Sequence, residues 1–311
     1  MINNDGREYV LGPKSIEENI ILITGTSRAG KTLLSKVLAT YKNVEWIEEP
    51  YELLNLTIMC GLGLIEKDIF RMLFTSSVHE LIVNNILLRN GNFRPGDLSS
   101  IWNYKSGVDI FHRLESLSSR ADVANYIAKE KPYFILDIPD ILPFTGLIRE
   151  VCDNLTIVNV VRDPYAVADD CYRKGWFAAD DKQLADNNLF RVYDGHRLPW
   201  WVREGEEENF IKSTVYEKGL MYWLAVQSWE TDEVSDKNKY DILVRYEDIT
   251  GDIDGVLDNI SSVCKIIPTT ITNGVKSEIR SDFCVKEADI DRDISIIDLS
   301  YLQSVKNRFV Y

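Results

Sequence analysis

The stretch Ile20-Ile21-Leu22-Ile23-Thr24-Gly25-Thr26-Ser27-Arg28-Ala29-Gly30-Lys31-Thr32 decides the fold. Its first four residues form a β-branched-rich apolar run, the pattern of a strand buried on both faces of a parallel sheet. Gly25 to Thr32 satisfies G-x-x-x-x-G-K-[ST] in full. Glycines let backbone N–H groups turn inward around an anion, and the start of the next helix adds partial positive charge. Lys31 reaches a terminal phosphate or an equivalent group, and Thr32 bonds a phosphate oxygen or Mg²⁺. Beyond the loop, Leu33, Leu34, Val37 and Leu38 fall at helical spacing. Strand, loop and helix in that order predict a phosphate-binding site built from Gly25, Thr26, Ser27, Arg28, Ala29, Gly30, Lys31 and Thr32.

Further along, Val44 to Ile47 reads as a second short strand. From about Tyr51 to Glu130 the apolar residues recur at three and four, as in Val78, Ile82, Val83, Ile86 and Leu87, which predicts a mostly helical segment. Tyr133 to Leu136 and Leu155 to Val161 are further buried strands; Asp241 to Tyr246 is the last, followed by a helix from about Ile253 to Val263. Strands alternating with helices predict an α/β fold, a three-layer P-loop architecture with a central parallel sheet flanked by helices. No repeat or low-complexity segment interrupts the chain, so residues 1–311 are expected to form a single domain. Within it, residues of about 178–218 differ: Asp194 to Asn209 (DGHRLPWWVREGEEEN) is charged, Trp-bearing and weakly periodic, and reads as a lid-like insertion.

The 311 residues carry 35 Lys+Arg against 49 Asp+Glu, a formal net charge of −14. Such a chain has no basic footprint for nucleic acid and is repelled by an anionic membrane. A phosphate-bearing ligand must therefore be held by a local cluster of cations working against the global field. Five widely spaced cysteines (Cys60, Cys152, Cys171, Cys264, Cys284), with no CxxC among them, read as reduced thiols. Three scattered histidines (His79, His112, His196) make a His-rich metal site improbable. The start MINNDGREYV lacks a signal-peptide pattern, and the longest apolar-looking stretch, Leu56 to Ile65, is too short to span a bilayer. A cytoplasmic protein without stable membrane insertion is expected.

Three more elements bear charge at the ends of strands. Arg162-Asp163-Pro164 follows the clearest strand, at the sheet edge where ligands bind in open α/β folds; the alternative is a surface Arg–Asp pair worth little. Glu48-Glu49-Pro50 follows the second strand, either as a solvated turn or with one carboxylate serving as a base. Arg245-Tyr246-Glu247-Asp248 reads as an ion pair and capping device, with Asp248 placed to accept N–H bonds from the next helix.

Together these elements resemble the sulfotransferase family, in its bacterial and carbohydrate-modifying branches. The resemblance runs from about Ile20 to Cys264. It implies that the loop holds the 5′-phosphosulfate of PAPS (3′-phosphoadenosine 5′-phosphosulfate), with Arg28 steadying the transferring sulfuryl group beside Lys31. It further implies that Glu49 is the catalytic base and that Arg162 contacts the 3′-phosphate. The acceptor would be a hydroxyl of a carbohydrate or other small molecule, with Trp176, Trp200, Trp201, His196 and Arg197 near the insertion as candidate contacts. The alternative is that at least some of those aromatics simply cover core, which is the commoner use.

The chain departs from the family at two positions. Asp170 stands where a serine also holds the 3′-phosphate, and Asp137-Ile138-Pro139 replaces a lysine-led triplet. A carboxylate at Asp170 repels a phosphate unless it is protonated or bridged by a cation. An apolar strand ending in Asp137, together with Lys31 and Thr32, also has the form of a Mg²⁺–ATP site, in which Thr32 and Asp137 would hold the metal. An ATP-dependent kinase on the same scaffold is thus the alternative reading, and a non-catalytic nucleotide-binding protein is a third.

Overall fold

The computed structural model describes residues 15–178, 189–228, 240–282 and 294–309. Its centre is β1 (Ile16–Thr24), whose Ile16, Ile20 and Leu22 look to one side of the sheet while Ile21 and Ile23 look to the other. All of these side chains are fully buried, and each contributes about 1.5–3 kcal/mol by leaving water. The helix that follows, α1 (Lys31–Leu38), has eight residues, too few to be stable alone. It is held by burying Leu33, Leu34, Val37 and Leu38 against the second face of the sheet.

Five strands form one parallel sheet. β2 (Val44–Glu48) and β3 (Tyr133–Asp137) lie on one side of β1; β4 (Cys152–Val161) and a last strand, Ile242–Arg245, lie on the other. The order from edge to edge is β2, β3, β1, β4 and then that last strand. Between β2 and β3 the chain forms α2 (Tyr51–Gly61), α3 (Lys67–Ile86), α4 (Gly107–Ser116) and α5 (Arg120–Glu130). After β3 comes the short α6 (Thr145–Arg149), and after β4 comes α7 (Pro164–Arg173), with Pro164 at its first position and Asp163 accepting the N–H groups of Tyr165 (2.9 Å) and Ala166 (3.3 Å).

The helices divide between the two faces, which places the site. α1 packs on the face that holds Ile21 and Ile23, whereas α2, α3 and α7 pack on the face of Ile20 and Leu22. The chain leaving β1 therefore turns to one side while the chains leaving β3 and β4 turn to the other. That divergence opens a crevice at the carboxyl end of β1, where open α/β sheets bind ligands.

The segment read as an insertion contains a two-stranded antiparallel hairpin, β5 (Phe190–Tyr193) and β6 (His196–Pro199), then α8 (Glu207–Lys212). Residues 179–188 of it lie outside the described residues. The long helix α9 (Val215–Ser228) begins before position 218 and crosses the core. The last strand of the sheet is β7 (Ile242–Arg245), leading through α10 (Tyr246–Gly251) to α11 (Ile253–Cys264); α12 (Thr272–Asp282) and α13 (Leu299–Asn307) complete the described chain.

One local expectation needs correction, and one left open between two readings is narrowed. Asp248 lies inside α10 and pairs with Arg245; the cap of α11 is Asp252, which accepts from the Gly255 N–H at 3.1 Å. A short extra helix between strand and helix moves the cap four residues downstream. Trp200 and Trp201 are only 6% and 5% exposed. Trp201 packs edge-on against Phe177 and Phe210, and Trp200 is tilted against Phe144, so both serve the core.

Cys60, Cys152, Cys171 and Cys264 are buried and none forms a disulfide; Cys284 lies outside the described residues. Among the described residues no helix is long and apolar enough to cross a membrane.

Candidate functional site

The loop from Gly25 to Gly30 needs its glycines for two distinct reasons. Gly25 has φ of 124°, and a Cβ there would stand 2.1 Å from the Val160 carbonyl oxygen on β4. Gly30, at φ of 93°, caps α1, and a Cβ there would meet the Tyr246 ring at 2.5 Å. The loop is thus pressed between β4 and α10, with no room for a side chain at either end. Lys31 is 5% exposed, and its ammonium donates back to the Thr26 carbonyl at 2.8 Å, holding it across the mouth of the loop.

Non-glycine residues in the left-handed region recur around this crevice. Arg28 (φ 69°), Glu49 (φ 38°) and Asp140 (φ 64°) stand in the loop, after β2 and after β3. Such conformations are costly unless the surroundings impose them, and they gather at functional sites.

One half of the crevice is acidic. Asp137 ends β3 fully buried; its Oδ2 accepts from the Ser35 hydroxyl at 3.2 Å, while Oδ1 has no hydrogen-bond partner. Burial pushes its carboxyl up to about 7, with Lys31 pulling down and Glu49 pushing up. Glu49 lies beside it: its N–H donates to the Asp137 carbonyl at 3.1 Å, and its carboxylate accepts from the Tyr51 hydroxyl at 3.3 Å. Burial and the neighbouring Glu49 push the Tyr51 hydroxyl up to about 12, so it stays a proton donor. Glu48 turns the other way, toward Ser99, and burial raises its carboxyl. Of the two adjacent glutamates, Glu49 faces the phosphate loop's acidic neighbours.

The other half is cationic and already neutralised from within. Arg162 leaves β4 with 5% exposure and lies over the Tyr246 ring, 4.4 Å from guanidinium carbon to ring centre. Its Nη1 donates to the Arg28 carbonyl (2.9 Å) and to Asp170 Oδ2 (2.7 Å). Arg28 Nε stands 3.6 Å from the same Asp170 oxygen. Trp223 on α9 donates its indole N–H to the Arg162 carbonyl at 2.9 Å and fixes the strand end. The carboxylate of Asp170, which would repel a phosphate if alone, bridges the two arginines. Thr32 is half-buried on the first turn of α1.

Two residues of the crevice carry no motif in the sequence. Asp140 and Tyr222 both meet the loop at Ser27, whose N–H donates to Asp140 Oδ1 (3.2 Å) and to the Tyr222 hydroxyl (2.6 Å). The Tyr222 hydroxyl donates in turn to Asp140 Oδ1. The one available signal was the pair of aspartates in Asp137-Ile138-Pro139-Asp140; nothing marks Tyr222, 195 residues from Ser27.

No family model and no curated protein matches this chain. Among solved structures it is similar to a sulfotransferase domain of an olefin synthase from Synechococcus PCC 7002, at 15% identity and a TM-score of 0.48, covering 98% of this chain and 99% of that one. It is also similar to a sulfotransferase domain of the curacin biosynthetic pathway (14% identity, TM-score 0.41, 83% of this chain and 77% of that one). A sulfotransferase of Mycobacterium avium gives 12% identity and a TM-score of 0.43, over 96% of this chain and 77% of that one. Likeness of this degree decides no activity, which rests on the crevice itself.

Chemically, the crevice offers a loop shaped for an oxyanion, one lysine at its mouth, a carboxylate able to take a proton, and a buried arginine, Arg162, at the end of the neighbouring strand β4. That set suits in-line transfer of an anionic group from a nucleotide to a hydroxyl.

Proposed function

We propose that this chain is a transferase that moves a sulfuryl group from PAPS to a hydroxyl of a carbohydrate or other small-molecule acceptor. The observation that carries the reading is a second cationic centre: Arg162, at the end of β4, lies against the phosphate loop and donates to the Arg28 carbonyl at 2.9 Å. A nucleotide with phosphate at one end only would leave that centre unused, whereas the 3′-phosphate of PAPS calls for it. The other end of the donor falls to the loop, whose glycines let it pass between β4 and the Tyr246 ring into the start of α1.

PAPS supplies the activated sulfuryl group and a phosphate as leaving group. The loop N–H groups and Lys31 hold that end of the donor, and Arg28 and Lys31 neutralise the negative charge that grows on the leaving oxygen. Glu49, immediately after the edge strand β2 and held by Tyr51, takes the proton of the acceptor hydroxyl. Arg162 exchanges part of its pairing with Asp170 for the 3′-phosphate.

One observation favours a second reading. Asp137 Oδ1 is buried without a partner, at the end of the strand next to the loop. A Mg²⁺ ion held by Asp137 and Thr32 would satisfy it and make ATP the donor, in a kinase.

Glu49→Gln tests the role given to this residue. With PAPS and a panel of sugar acceptors, kcat is expected to fall by about 10²–10⁴ while donor affinity is unchanged, because only the proton transfer is removed. A variant within about threefold of the parent, on that same scale of general-base effects, would take the base away from Glu49.

A further inference from the structure

Around the single lysine at the mouth of the loop, the fold assembles more negative charge than positive. Lys31 faces Asp137 and Asp140 from β3 and its following turn, and Glu49, just after β2, acts on the same two carboxyls with the opposite sign. Asp140 is the one fastened directly to the loop. Its N–H donates to the Gly25 carbonyl at 3.0 Å, and its Oδ1 accepts from the Ser27 N–H and from the Tyr222 hydroxyl. Tyr222 is in turn locked by Trp201 and Phe177, with ring centres 5.6 and 5.8 Å away. A carboxylate held at both ends of its own residue, at φ of 64°, cannot swing aside when an anion arrives.

We propose that Asp140 is a specificity-determining residue that sets the charge of the donor's terminal group, admitting a singly charged sulfuryl group and rejecting a doubly charged phosphoryl group. This rests on the nucleotide-binding reading of the loop given above. Lys31 binds the terminal group of the donor, and Asp140 stands within the electrostatic reach of Lys31. An anion there gains from one ammonium and is opposed by the fixed carboxylate. The opposition doubles when the terminal group carries two charges, whereas the shape of the two groups is the same.

The groups facing Asp140 from the surrounding elements are Lys31 on α1, Glu49 after β2, Tyr51 on α2, Asp137 on β3, Cys171 on α7 and Tyr222 on α9. Lys31 is the cation that acts on Asp140 directly, while Arg28 and Arg162, beyond Cys171, are paired with Asp170. Burial raises the Asp140 carboxyl to about 6 despite that lysine, so it is charged above neutral pH.

The probes are adenosine 5′-phosphosulfate and ADP, which differ in the charge of the terminal group. Binding is measured by calorimetry at about pH 8 with EDTA, on the whole chain. The parent protein is expected to bind the phosphosulfate at least about tenfold more tightly, the scale of one unfavourable unit-charge contact of about 1.4 kcal/mol. Asp140→Asn should erase that gap by tightening both nucleotides unequally, about tenfold for the phosphosulfate and about a hundredfold for ADP. Tyr222→Phe removes a hydrogen bond but keeps the charge, so it should keep the gap, which separates charge from loop packing. Equal affinities in the parent would overturn the proposal without any variant, as would a gap that survives in Asp140→Asn. ADP binding that appears only with Mg²⁺ would assign the carboxylates to a metal and overturn it too. If neither nucleotide binds the parent, the nucleotide reading itself fails, a result distinct from all of these.

Discussion

Lys31→Ala should abolish most of the transfer activity, with kcat/KM falling by about 10²–10³, the loss seen when one preorganised donor to a developing oxyanion is removed. The lysine is 5% exposed and held to the Thr26 carbonyl at 2.8 Å. It is the cation that acts on both Asp137 and Asp140, whereas Arg28, the other cation assigned to the leaving oxygen, already stands 3.6 Å from the Asp170 carboxylate. Stability should change little by comparison, because the substitution also removes a buried charge, whose desolvation opposes the hydrogen bond it made. The check is steady-state kinetics beside a thermal melt. Activity within tenfold of the parent, in a folded variant, would mean that the loop's backbone alone carries the donor's terminal charge.

The largest effect on stability is expected far from the crevice, at Glu45 on β2. Its side chain is 3% exposed and takes Lys105 (3.2 Å) and a two-pronged contact from Arg113, both only 11% exposed. Lys105 also caps the Val44 carbonyl at 2.6 Å. This cluster ties the segment around α4 to the strand that delivers Glu48 and Glu49. Glu45→Ala leaves two buried cations unmatched and should cost about 3–5 kcal/mol. Burial alone would raise the Glu45 carboxyl, but Lys105 and Arg113 outweigh it and hold it down at about 2, against an ordinary 4.5. A carboxyl depressed by folding stabilises the protein above its unfolded pKa and loses that contribution as pH falls through the folded one. The stabilisation, about 3 kcal/mol, should therefore be full above pH 4.5 and vanish toward pH 2. In urea titrations, parent and Glu45→Gln should differ most at neutral pH and converge in acid. A difference independent of pH down to 2 would contradict the charge-pair origin.

How much of this was legible in the sequence depends on how local each feature is. The loop from Gly25 to Thr32, the strand before it and the strands at 133, 155 and 241 are written in contiguous patterns, because period and turn chemistry act over a few residues. The positions of Glu49 and Arg162 at strand ends follow from the same reading. Their partners do not. Asp170 was legible as a misplaced negative charge, but its bridge between Arg28 and Arg162 needs β4, α7 and the loop to be assembled. Asp140 and Tyr222 converge on Ser27 from 113 and 195 residues away, and no spacing rule connects them. For Trp200 and Trp201 the sequence left contact and core packing open, because their polar neighbours in sequence do not show the aromatic partners that meet them in space.

The crevice thus presents a phosphate loop with two fates for its surplus acid: Asp170 neutralises arginines that a second phosphate would use, and Asp137 keeps an unpartnered oxygen that a metal ion would use. Calorimetric titration with adenosine 3′,5′-bisphosphate and with ADP, each with and without Mg²⁺, separates them most directly. The expected result is binding of the bisphosphate that needs no metal and is kept or strengthened in Asp170→Ser, where Arg162 is released. Mg²⁺-dependent binding of ADP with no affinity for the bisphosphate would contradict the sulfuryl-transfer reading and leave the kinase in its place.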